Sequence, residues 1–154
     1  MYTKSRANLF RQVKGLELLH SLLEEEFTSL LERNVEEVSS LEFSIHELMR
    51  QLLVERMEIR EVMNGVKISE YAGMLPQEDG AAIMALVDEL LTREQVCSRQ
   101  AGLNSTLAFG LLDQGQELLD FLYNAAVPKQ ANTYGSKGGL QVNKPGAALI
   151  SGRL

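Results

Sequence analysis

Few residues of this 154-residue chain have the type and spacing that chemistry requires. Glu17-Leu18-Leu19-His20 has the Glu-x-x-His spacing of di-iron helical bundles, where a carboxylate and an imidazole one turn apart reach the same metal. Such a site needs a second motif of this kind and two further Glu on facing helices. The chain has only two histidines, and His46 follows Glu42 by four residues rather than three. Both histidines therefore read better as ordinary positions on a helix surface or core edge than as metal ligands. Cys97 is the single cysteine, which excludes an intrachain disulfide framework and a Cys-rich metal site. A nucleophilic Cys/His role is its catalytic reading; its place within a helical packing frame points instead to a buried, inert thiol. Dinucleotide-binding, phosphate-loop and zinc-protease signatures are all missing. No enzyme activity, metal or cofactor is expected.

Two further patterns have bland readings. Glu24-Glu25-Glu26 reads as a solvated helix face. Asn104-Ser105-Thr106 matches a glycosylation acceptor but means little without a secretory signal, and no uninterrupted apolar stretch follows Met1-Tyr2-Thr3-Lys4-Ser5-Arg6 to make one. No run approaches the length of a membrane span, so no membrane insertion is expected. The formal net charge of −6 argues against general nucleic-acid binding.

The elements that carry these residues are helical. The chain is rich in leucine, poor in aromatics and has only 3 Pro, a balance that favours helix over sheet. Charge is unevenly placed. Residues 1–127 are acidic, whereas residues 128–154 hold four basic and no acidic side chains, together with 5 of the 12 Gly. This predicts a helical domain over 1–127 and a basic, Gly-rich, extended tail over 128–154.

Leu16, Leu19, Leu23, Phe27 and Leu30 recur at helical spacing and predict a first helix over about 5–33. Asn34, three residues before Glu37, resembles a capping box. Val38, Leu41, Ile45, Leu48, Leu52, Ile59 and Met63 predict a second helix over about 35–64, with Arg56 as a polar gap in the stripe. Asn64-Gly65 is a helix stop, since either tolerates the left-handed conformation. Residues 65–76 read as a connection tacked down by Ile68, Tyr71, Met74 and Leu75. Pro76 suits the first turn of a third helix, with Glu78 and Asp79 placing negative charge at its N-terminus.

That third helix spans about 77–127 on a 4-3 frame: Ile83, Val87, Leu90, Glu94, Cys97, Ala101, Asn104, Ala108, Leu111, Gly115, Leu118 and Leu122. The frame is small or polar in its middle. Either the helix breaks near Gly102–Asn104 or the small residues allow close helix approach; the long period-matched frame favours an unbroken helix. The expected fold is all-α: an antiparallel bundle of three long helices, a hairpin plus a long third helix, followed by the tail.

Leu111, Leu112, Leu118, Leu119, Phe121, Leu122 and Tyr123 are apolar on more than one side of the end of helix 3. Three helices have too little surface to cover them, so the strip is a candidate face for a partner or for a homo-oligomer. The alternative is cover by the tail through Val142, Leu149 and Ile150.

These features resemble the FlgN family of flagellar export chaperones for hook–filament junction proteins. The resemblance rests on three parts: Leu16 to Phe27 followed by a polar break and another Leu/Glu helix; the Asn104-x-x-Leu107 step followed by leucine pairs; and Asn132-Thr133-Tyr134-Gly135-Ser136-Lys137-Gly138, similar to the family's Tyr-Gly-x-x-Gly segment. Ser105 stands where many relatives have Gly. The resemblance implies a cytoplasmic, non-enzymatic protein of long helices. It would hold C-terminal segments of two junction proteins with the C-terminal part of its chain, then deliver them to the export apparatus. The tyrosine that docks on the export gate maps to Tyr134, beside Gly135. A reading of a different class is a structural coiled-coil adaptor that self-associates through helices 1 and 2.

Overall fold

A computed structural model of the chain describes residues 1–126. Every element among the described residues is helical: α1 (Tyr2–Leu31), α2 (Val35–Val62), α3 (Ile68–Gly73) and α4 (Gln77–Ala126). The predicted tail lies outside the described residues. By contacts the chain divides into two compact units, Met1–Gln114 and a second beginning at Gly115.

The turns between helices follow from local hydrogen bonding. Arg33 adopts the left-handed conformation at φ 57°, so that its N–H reaches the Leu30 carbonyl and the Asn34 N–H reaches that of Ser29. This is a Schellman closure. Asn34 then caps α2: its side-chain oxygen accepts from the Glu37 N–H at 3.2 Å, and its Nδ2 donates to the Glu37 carboxylate at 2.8 Å. One asparagine thus ends α1 and starts α2. The same closure ends α2, with Asn64 and Gly65 both left-handed at φ 52° and 77°.

The first unit holds two apolar clusters. One is built from Leu9, Ile59, Met63, Tyr71, Ala72 and Ile83, the other from Leu16, Leu19, Leu23, Ile45 and Cys97. α1 and α2 run antiparallel. The Asn8 amide donates to the Glu55 carbonyl at 2.9 Å and to its carboxylate at 2.5 Å, and Arg11 grips that carboxylate through two bonds of 2.7 Å. α1 and α4 run parallel at a constant sequence offset of 81. Cys97 Sγ donates to the Leu16 carbonyl, Asn104 Nδ2 to that of Leu23, and Arg33 to the Gln114 side chain. The polar gaps of α2 and α4 meet each other, because Arg56 pairs with Glu94.

Three expectations need correction. The connection over 65–76 contains α3, whose Tyr71 and Ala72 are buried under the first cluster, while Met74 is exposed. The described residues therefore hold four helices, the three long ones expected and the short α3 between the second and third of them. Pro76 sits just before α4 rather than in its first turn, its carbonyl accepting from the Gly80 N–H at 2.9 Å. Finally, α4 is unbroken through Gly102–Asn104, yet close approach does not explain its glycines. A Cβ at Gly102, Gly110 or Gly115 would meet nothing within 4 Å. The close approach lies at Gly80 instead, where a Cβ would fall 2.5 Å from the Ala72 carbonyl oxygen.

The glycines should therefore respond oppositely to the same change. Gly102→Ala is expected to stabilise the protein by about 1 kcal/mol, because it restores helix propensity at an open site. Gly80→Ala is expected to destabilise it by about 1–3 kcal/mol, because a backbone carbonyl cannot yield to the methyl group. Urea denaturation of the two variants checks both signs.

Candidate functional site

The residues singled out for chemistry are dispersed. Glu17 lies 2.8 Å from Lys14 Nζ and 3.2 Å from Arg93, and the bond from Lys14 holds its carboxyl below the usual carboxylate range. His20 has Glu24 at 3.8 Å, and His46 has Glu42 at 3.2 Å. No group of three or more His, Cys, Asp or Glu among the described residues is placed to hold a metal ion. Cys97 is buried, with its thiol bonded to the Leu16 carbonyl at 3.3 Å, and burial pushes its pKa up despite the nearby Arg93. A thiol held neutral in this way packs as a small apolar side chain with one weak donor.

Among the described residues, most of the apolar side chains near the end of α4 are exposed, and the tail residues Val142, Leu149 and Ile150 lie outside the described residues. In the first unit Leu111 is half-buried and Leu112 is 68% exposed. Phe109 is equally exposed, and the sequence reading missed it because it falls off the 4-3 frame. The second unit, within the described residues, consists of the last turns of α4. There Leu118, Leu119, Phe121, Leu122 and Tyr123 are all between 47% and 67% exposed. At 3.6 residues per turn they form an apolar arc of about 200°. Leu118 and Leu122 continue the frame, Leu119 and Tyr123 lie on one side of it, and Phe121 on the other. An arc this wide exceeds what scattered surface leucines account for.

A family model described as FlgN protein matches residues 1–141 of the chain. The chain belongs to the FlgN family. No curated protein and no solved structure matches it. Membership in the FlgN family implies the general role of a flagellar export chaperone that binds flagellar substrate proteins, and the family is not known for enzymatic activity. No helix among the described residues is long and apolar enough to cross a membrane. The expected gate-docking residues Tyr134 and Gly135 fall within the matched span but outside the described residues.

One polar cluster in this FlgN chain was not foreseen. Asn104 is 4% exposed, and its Nδ2 donates to the Leu23 carbonyl at 2.8 Å and to Glu26 Oε2 at 2.6 Å. Gln100 donates to Asn104 Oδ1 at 3.0 Å. Glu26 is buried, so the solvated-face reading of Glu24-Glu25-Glu26 holds for its first two members only. The signal was present in the spacing. Leu16, Leu19, Leu23, Glu26 and Leu30 recur at 3, 4, 3 and 4, a better frame than one through Phe27, which is half-buried. Burial raises the Glu26 pKa, and a hydrogen-bonding contact with Glu42 raises it further; Asn104 and His46 act in the opposite sense.

The sign of the pH effect follows. A carboxyl whose folded pKa is raised binds more protons in the native state than in the unfolded one. Stability is then greatest below the ordinary carboxylate value and falls as pH rises through the folded value. Glu26→Gln keeps the oxygen that accepts from Asn104 and removes the titration. Its stability relative to the parent, from urea midpoints, should be higher at about pH 7.5 than at about pH 4. An equal difference at both pH values contradicts this account of Glu26. Asn104→Ala should cost about 1–3 kcal/mol in the same measurement.

Proposed function

We propose that the protein is a cytosolic type III flagellar export chaperone. In this reading it binds C-terminal segments of hook–filament junction proteins, prevents their premature assembly and delivers them to the export apparatus. The observation that carries the reading is the exposed apolar arc of Leu118, Leu119, Phe121, Leu122 and Tyr123 on α4, with Leu111 and Leu112 preceding it. An amphipathic client segment lays its apolar side on such a helix face, burying surface worth about 25 cal/mol per Å². The same surface is what a free client would use to assemble, so covering it blocks assembly. Ordering the client costs part of this gain, which keeps affinity moderate and suits release.

Calorimetric titration of the full chain with junction-protein C-terminal segments tests the reading, and binding at tens of micromolar or tighter is expected. Leu119→Glu places a charge on an exposed position of the arc. It should weaken binding by at least about tenfold while leaving the circular dichroism and the melting temperature unchanged. Undiminished affinity in this variant, or no binding by the parent, contradicts the assignment. We assign delivery to Tyr134 with Gly135: Tyr134→Ala should bind client normally and fail in export, and loss of client affinity instead would end that division of roles.

A second reading has an observation of its own. Met49, Leu53 and Met57 recur every fourth residue on α2 and are 53–58% exposed, with Phe43 more exposed still. They favour a coiled-coil adaptor that self-associates through α1 and α2. Light scattering across concentration separates the two: an obligate oligomer undisturbed by Leu119→Glu supports the adaptor, and a monomer that binds client supports the chaperone.

A further inference from the structure

The charge around the apolar arc constrains what occupies it. From Gln100 to Ala126 there is no basic side chain, the last being Arg99. Within the second unit the charged side chains of α4 are Glu117 and Asp120, both exposed. At 3.6 residues per turn they lie in the remaining sector of about 160° that the apolar arc leaves open. Glu117 then borders Phe121 and Asp120 borders Tyr123. Asp120 is fixed in place by a bond of 3.2 Å from Gln116 Nε2. Any segment lying along the arc therefore meets a carboxylate at its edge and, among the described residues of α4 beyond Arg99, no ammonium or guanidinium to offset it.

We infer that the segment recognised by this face is amphipathic with Lys or Arg along the margins of its apolar side. The inference rests on the chaperone reading and adds the chemistry of the client. Edge charges of this kind contribute to encounter rate and to partner choice more than to affinity. Carboxylates on the rim leave an acidic-edged segment repelled at both margins, so the same two residues act against the wrong partner. They also bear on self-association, since a second copy of the same face would bring acidic margins against acidic margins.

A matched pair of synthetic amphipathic peptides tests this. Both carry one identical Leu/Phe/Ile side; one has Lys and Arg at its margins, the other Glu. Binding to the full chain is measured by fluorescence anisotropy, with a junction-protein C-terminal segment alongside. The basic-edged peptide should bind at least about tenfold tighter than the acidic-edged one at low salt, and the preference should shrink to within about twofold at about 0.5 M salt. Glu117→Gln combined with Asp120→Asn should remove the preference at low salt while leaving the melting temperature unchanged. Equal binding of the two peptides, a preference for the acidic-edged one, or a preference that survives the double substitution would each overturn the inference. The junction-protein segment separates this from the parent reading: if it binds while the peptides show no charge preference, only the inference fails, and if it too does not bind, the chaperone reading fails.

Discussion

The arrangement of the first unit depends on one side chain, the buried amide of Asn104. It bonds the backbone of α1 at Leu23 and the carboxyl of Glu26 at once, and Gln100 satisfies its oxygen. Apolar packing between two long parallel helices is tolerant of a slide by one heptad. A buried polar group is not, because sliding strands it without partners at a cost of about 1–3 kcal/mol. Asn104 therefore sets the offset of 81 between α1 and α4. Cys97 repeats it one heptad earlier at the Leu16 carbonyl, and Arg33 repeats it near the end of α1 at Gln114.

The helical parts of the fold were legible because their signals are local. Spacings of three and four gave the faces of α1, α2 and α4, and Asn34 with Glu37 gave the turn between the first two. What escaped depended on partners distant in sequence. α3 is only six residues long, too short for a periodic signal, and exists because Tyr71 and Ala72 are buried against Leu9, Ile59, Met63 and Ile83. Nothing in the local sequence sets Gly80 apart; its role comes from the Ala72 carbonyl that packs against it. Glu26 was read as one of three solvated carboxylates, since nothing local says that Asn104 will stand opposite it.

The candidate site was legible in a different way. Leu118, Leu119, Phe121, Leu122 and Tyr123 stood out as a surplus that three helices had too little surface to bury, and among the described residues they are exposed. Phe109 lies off the 4-3 frame, so periodicity alone does not mark it. Net charge by segment likewise does not show that Glu117 and Asp120 share the one sector of the helix outside the arc. The family match joins these observations to flagellar export in general; the face itself is argued from exposure, width and charge.

Hydrogen–deuterium exchange on the full chain, with and without a junction-protein C-terminal segment, tests the central claim most directly. The account predicts that client binding slows exchange over the turns of α4 that carry Leu118 to Tyr123, while the segment around Asn104 and all of α2 exchange as before. Slowed exchange confined to α2, around Met49, Leu53 and Met57, with the end of α4 unchanged, would contradict it.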